Sequence, residues 1–269
     1  MTPLQALAID YAAAHDIARS TAYLYLCICR SIERFGGPFE SLDDVLAIAN
    51  RYLATKSAEN RFTAASHRRA LAAMMRWAAE TGRIERPVPL RPVKLVDHLP
   101  RAFTQDEFRR LLAAASPIET AAIWLAYDTG YRRGDLFRVR WHQVTVGPVP
   151  RIVHIPSKTG RREVRRLRPV TLDSLRKVRA AGNDDRLLPL DVGTTGWRLR
   201  WHRLGRRAGV DTLNRGLQAI RRTGATMAKI AGQSPAEYLG HSPHSRGVAE
   251  RFYLDPTMLD DAPPLPPEI

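Results

Sequence analysis

Apolar residues recur at three- and four-residue steps over most of the first eighty positions, the spacing that lines one face of an α-helix. This predicts helices over 4–15 and 18–35, the second carrying Tyr23, Leu26, Cys27, Arg30 and Phe35 at those steps. Gly36-Gly37-Pro38 stops it. Ser41 reads as the N-cap of a third helix, with Asp44 three residues on, running to about Leu53, and a fourth helix covers about 61–81. The first ninety residues therefore read as a bundle of four short helices. The periodicity then vanishes. RPVPLRPVKLVDHLP (86–100) holds four prolines and reads as an extended linker.

Helical spacing resumes at Thr104, a cap with Glu107 at the capping-box position. A long apolar helix over about 117–128 stops at Thr129-Gly130, and Arg132 opens a short helix through about Val139. Residues 144–170 switch to strand character: RIVHIP (151–156) and REVRRLRPV (162–170) flank the turn-like Ser157-Lys158-Thr159-Gly160 and form a hairpin. From 194 the pattern is helical again. Ser234-Pro235-Ala236-Glu237 starts a short helix that Leu239-Gly240 ends, and Tyr253 lies near the end of the next. The final DPTMLDDAPPLPPEI is acidic and proline-rich and is expected to be extended or disordered. The predicted fold class is mainly α with a small antiparallel β-sheet. It divides into a helical domain over 1–86, a linker over 87–100, a mixed α/β domain over 101–256 and a tail over 257–269.

Charge narrows the function. The chain has 269 residues, a formal charge of +15 and a pI near 10.6. A chain this basic without a secretory signal points to a polyanion, nucleic acid first. No apolar run is long enough to span a bilayer, and the basic residues are not gathered on one amphipathic helix, so no membrane role is expected. The hairpin region 151–186 holds eleven Lys/Arg against four Asp/Glu and is the surface expected to face a phosphate backbone, with Arg161, Arg162, Arg165 and Arg222 as candidate DNA contacts. Cys27 and Cys29 sit two apart on a helix and face different directions, as core or boundary thiols of a reducing cytoplasm. No HExxH, paired CxxC, P-loop or GxSxG is present, and the adjacent carboxylates at 43–44, 184–185 and 260–261 diverge where helical; no metal or cofactor is expected.

The ordered set Arg132, Lys158, Arg221, His241 and Tyr253 suits the cleavage of a phosphodiester. Two guanidinium groups can clamp phosphoryl oxygens at two points and stabilise the charge that grows there. A lysine can protonate the leaving oxygen and a histidine can add a hydrogen bond. A tyrosine can attack, provided a cationic setting offsets its ordinary pKa of about 10.

These motifs resemble those of the tyrosine recombinases, the phage-integrase and Xer-like enzymes. The stretch 102–254 resembles their catalytic domain: TGYRRGDL supplies Arg132 and the supporting Asp135, the hairpin supplies Lys158, LGHS supplies His241, and Tyr253 follows His241 by twelve residues. The helical first part resembles the SAM-like core-binding domain by architecture and position alone. The second box, His-x-x-Arg in the family, here begins with glutamine: Gln218-Ala219-Ile220-Arg221. Glutamine hydrogen-bonds but cannot titrate. The proline-rich tail also departs from the helix that Xer-like members pass to a neighbouring subunit. The resemblance implies site-specific recombination through a 3′-phosphotyrosyl intermediate on double-stranded DNA, a homo-tetramer on that DNA, accessory DNA-bending proteins, and a cytoplasmic, nucleoid-associated protein. Two other readings of the same residues are a DNA-binding protein of this fold that no longer cuts, with Gln218 as the reason, and a DNA-relaxing enzyme of the topoisomerase IB type.

Overall fold

Thr2 accepts from the Gln5 backbone N–H at 3.3 Å and Pro3 occupies the first turn, so the first helix, α1 (Pro3–Ala14), starts where its N–H groups need partners. The computed structural model describes residues 1–86, 89–95, 101–156, 160–179, 185–188, 194–241 and 246–259. The chain divides into two compact units, Met1–Asp97 and His98–Ile269. In the first, α1 is followed by α2 (Arg19–Gly36), α3 (Leu42–Glu59) and α4 (Arg61–Glu80). Ser41 and Asp44 form a reciprocal capping box at the start of α3. Leu4, Leu7, Ile28, Ile32, Leu71 and Met74 are buried between the four helices, each contributing about 1.5–3 kcal/mol of apolar burial. The Cys29 thiol is buried against the Leu4 carbonyl, and burial pushes its pKa up to about 12, which makes it inert; Cys27 is half-buried.

Helix α3 runs six residues beyond the predicted end at Leu53. Nothing in Ala54–Glu59 breaks a helix, and the stop is Asn60, which ends α3 and caps α4 by accepting from Thr63 N–H at 3.0 Å. Part of the predicted linker is fastened to the first unit. Asn50 exchanges hydrogen bonds with the Pro89 carbonyl and the Arg91 N–H, and Arg68 donates to the Leu90 and Arg91 carbonyls.

The second unit contains α5 (Gln105–Ala114), α6 (Pro117–Thr129), α7 (Arg133–Leu136), β1 (Val144–Thr145), β2 (Arg151–His154), β3 (Glu163–Arg166), α8 (Pro169–Arg179), α9 (Thr194–Ala208), α10 (Leu217–Ile230), α11 (Pro235–Tyr238) and α12 (Arg246–Tyr253). The three strands form one antiparallel sheet in the order β1-β2-β3, with Val144 opposite Ile152 and Val153 opposite Val164. Helix α6 is apolar on most sides because it packs against both α8 and α10, while α5 packs on α9. Phe103, Leu111, Leu125, Trp201, Leu204 and Ile220 form the centre of this core. The mainly helical class with a small antiparallel sheet is therefore observed, and no described helix is long and apolar enough to cross a membrane.

Three local expectations need correction. Arg132 does not open α7 from inside; it is the N-cap of a four-residue helix that ends at Leu136. The predicted second strand of the hairpin stops at Arg166, and Pro169 begins α8 instead. The reason is tertiary. Asp128 at the end of α6 accepts from the Arg168 N–H at 2.7 Å and the Thr171 hydroxyl at 2.6 Å and pairs with the Arg168 guanidinium, so it caps α8 from another helix. The start of the predicted extended tail is also ordered. Asp255 is buried, accepting from the Ala102 N–H and from the Thr257 N–H and hydroxyl, and Pro256–Met258 form a 3₁₀ turn; residues 260–269 lie outside the described residues.

One ion pair sets the approach to α10. Arg215 contacts both Glu107 oxygens, at 2.6 and 3.0 Å, and lies over the Phe103 ring, while its carbonyl accepts from Trp201 Nε1 at 2.7 Å. Burial raises the Glu107 pKa, but the bonds from Arg215 and the Thr104 N–H, with the charges of Arg215 and Arg110, outweigh it and hold the carboxyl below its ordinary value. A lowered carboxylate pKa contributes stability that is present above the unfolded value of about 4.3 and lost as pH falls through the folded value. Glu107→Gln is expected to cost roughly 1.5–3 kcal/mol at pH 7. It should cost much less near pH 3, as read from urea unfolding at both pH values; an equal loss at the two pH values would refute the assignment.

Candidate active site

Three short segments of the second unit converge on Arg221, which α10 supplies. Thr129 closes α6 by donating to the Leu125 carbonyl at 2.6 Å, and Gly130, at φ +59°, turns the chain out of the helix. A left-handed residue suits glycine here, since the turn must deliver Tyr131 and Arg132 at once. The Arg132 carbonyl then accepts from the Asp135 and Leu136 N–H groups, which anchors half-buried Arg132 at the mouth of α7. Asp135 is buried, with Oδ1 3.8 Å from His154 Nε2, and His154 faces the Tyr131 ring at 5.2 Å between centroids.

Arg221 projects from α10 and is only 2% exposed. Its Nη2 donates to the Leu239 carbonyl at 2.9 Å and lies 3.5 Å from His241 Nε2, and its Cζ sits 5.1 Å from the centre of the Tyr253 ring. Burial lowers its pKa, the Tyr253 hydroxyl opposes that shift, and the neighbouring Arg132 charge adds to it. An arginine tolerates such a shift and stays charged. The same α10 places Gln218 one turn earlier, half-buried.

The Leu239-Gly240-His241 box works through its backbone. Gly240, at φ +67°, ends α11; its N–H reaches the Glu237 carbonyl at 3.0 Å and the His241 N–H reaches the Ala236 carbonyl at 2.8 Å. This turns the Leu239 carbonyl toward Arg221 and brings the His241 ring edge-on to Tyr253, 5.3 Å between centroids at 72°. Tyr253 ends α12 and is half-buried, with Ala249 and Leu254 packed beside Leu239. A β-carbon at Gly240 would run into the Arg165 guanidinium and the Glu163 carboxylate. Gly240→Ala therefore combines a left-handed penalty of about 1–2 kcal/mol with a steric one. It is expected to lower the melting temperature and displace His241; an unaltered melting curve would contradict this geometry.

The other predicted residues fall out differently. Lys158 lies outside the described residues. Arg161 and Arg162 are exposed ahead of β3. Arg165 instead pairs with Glu163 at 2.7 Å and donates to the Glu237 carbonyl at 2.9 Å, bracing the box rather than facing solvent. Arg222 is half-buried, and burial lowers its pKa while Tyr253 and Asp255 oppose that shift. Of the four candidate DNA contacts, two are thus on open surface. Sequence reasoning passed over Glu163, although residues two apart on a strand share a face and Glu163-x-Arg165 announces such a pair. It also passed over Tyr238 and Asp255, which carry no local signal.

No protein-family model matches the sequence, and no curated protein does. Solved structures do. A lambda integrase tetramer bound to a Holliday junction aligns with a TM-score of 0.76 at 19% identity, over 97% of this chain and 80% of that one. The Tn1549 transposon integrase in complex with a circular intermediate DNA gives 0.71 at 15%, over 94% and 95% of the two chains. The XerH site-specific recombinase bound to palindromic difH substrate, a post-cleavage complex, gives 0.70 at 13%, over 90% and 79%. From one end of the described chain to the other, this is the tyrosine-recombinase fold.

Proposed function

We propose that this protein is a site-specific DNA recombinase or integrase that cleaves and rejoins DNA through a 3′-phosphotyrosyl intermediate. The observation that carries the reading is the convergence of Arg132, Arg221, His241 and Tyr253 from four separate segments, with the Tyr253 ring against both the Arg221 guanidinium and the His241 ring. In this mechanism the Tyr253 hydroxyl gives up its proton to solvent and its oxygen attacks the scissile phosphorus as the bond to the 5′ oxygen breaks. Arg132 and Arg221 stabilise the charge on the non-bridging oxygens. His241 donates to one of them, Lys158 protonates the departing 5′ oxygen, and the reverse reaction rejoins the strand. Gln218 hydrogen-bonds where a histidine would titrate, which makes a slower enzyme.

The substrate is double-stranded DNA, contacted through Arg161, Arg162 and other basic surface. Helix α9 adds to that surface, with five arginines and no acidic residue in fifteen positions. The first unit serves as the core-binding domain, and the protein acts on DNA as a homo-tetramer in the nucleoid, with accessory DNA-bending proteins. The alignments support this reading, since the aligned proteins are a lambda integrase tetramer on a Holliday junction and DNA-bound recombinases.

The test is covalent trapping. The protein is incubated with nicked duplex fragments from the DNA flanking its gene and run on denaturing gels. A protein–DNA adduct is expected. DNA binding with no adduct on any fragment would favour the non-cutting reading, which Gln218 alone supports.

A further inference from the structure

We infer that Tyr238 is the positioning residue that sets the mutual distances of Arg132, Arg221 and His241, an inference that rests on the recombinase reading for its catalytic consequence. Its hydroxyl donates to the Tyr127 carbonyl at 2.7 Å. That carbonyl belongs to the last turn of α6, where helix geometry leaves acceptors without a partner. The N–H that would otherwise reach it, that of Tyr131, is 3.2 Å from the Thr129 hydroxyl instead. Tyr238 thus replaces the missing rung directly before the turn that delivers Arg132.

The ring is held by two glycines. A β-carbon at Gly130 would lie 3.0 Å from the Tyr238 ring, and one at Gly224 would fall on its hydroxyl. Gly224 is one turn beyond Arg221 on α10, and Gly130 is two residues before Arg132. Tyr238 itself immediately precedes Leu239, whose carbonyl holds Arg221, and is three residues before His241. One side chain, rooted in the segment that carries His241, therefore touches both of the segments that carry Arg132 and Arg221. Burial raises the Tyr238 pKa, so the hydroxyl keeps its proton and remains a donor. Packed interiors pass such a contact on as position rather than absorbing it, and a misplacement of about 1 Å at a reacting group can cost on the order of 100-fold in rate.

Tyr238→Phe keeps the ring and removes only the donor. On the protein alone, hydrogen exchange is expected to speed up in segments 127–132 and 239–241 and to stay unchanged in α5 and α9. On a nicked duplex that gives the wild-type adduct, the single-turnover cleavage rate is expected to fall about 10-fold, with affinity for that duplex unchanged. Gly224→Ala should be more damaging, and pairing it with Tyr238→Leu, which vacates the space, should restore part of the loss. Unchanged exchange in both segments overturns the inference, and so does a Tyr238→Phe cleavage rate equal to wild type. Absence of any wild-type adduct removes the recombinase reading, while the exchange measurement still decides whether Tyr238 holds the three segments.

Discussion

Tyr253→Phe is expected to abolish the covalent protein–DNA adduct while leaving the fold and DNA binding in place. The phenyl ring can keep the edge-on contact with His241 and the position over the Arg221 guanidinium, because both are made by the ring rather than the hydroxyl. What disappears is the hydroxyl proposed to attack phosphorus. Cleavage should therefore fall below detection, whereas affinity for duplex DNA, set by phosphate contacts elsewhere, should stay within about two-fold. Denaturing gels and a binding titration read the two quantities separately. An adduct that persists in the variant would show that another residue is the nucleophile.

Arg221→Lys is the second large effect and the more informative about geometry. The guanidinium is planar, and its fork reaches the Leu239 carbonyl and the neighbourhood of His241 while its face lies against Tyr253. An ammonium group is a single point and cannot reproduce that set. A cleavage rate lower by about 100- to 1000-fold is expected, the scale for losing one preorganised donor at developing charge. The pH profile should change as well. The site already lowers the arginine pKa by burial, and a lysine in the same place starts nearer neutrality, at about 10.4. Desolvation would carry it lower, so the residual activity of the variant should decline as pH rises through the neutral range. Single-turnover rates across pH check this. A variant with wild-type rate and an unshifted profile would mean that Arg221 serves the fold rather than the chemistry.

The chain's local patterns went far. The three- and four-residue apolar steps located the helices of both units, and Ser41, Thr104 and Ser234 were legible as caps because an N-cap oxygen bonds to an N–H only three residues away. The chemical set Arg132, Arg221, His241 and Tyr253 could be chosen by residue type and order. Where local reasoning failed, the deciding partner was distant in sequence. Helix α8 begins at Pro169 because Asp128, some forty residues earlier, caps it. Asp255 is buried because the Ala102 N–H, 153 residues away, meets it. Arg165 could be counted as a surface cation from its place in a basic hairpin, yet Glu163 and the Glu237 carbonyl take up its guanidinium.

The order and chemistry of the residues, the helical class and the positions of the caps were thus determined by sequence, since each depends on atoms within a turn or two of one another. The distances that bring these side chains together were decided only by tertiary packing. No periodicity encodes that Tyr238 fills the space above Gly224, or that the Leu239 carbonyl meets Arg221, because those contacts exist only once α6, α10 and α11 are packed together.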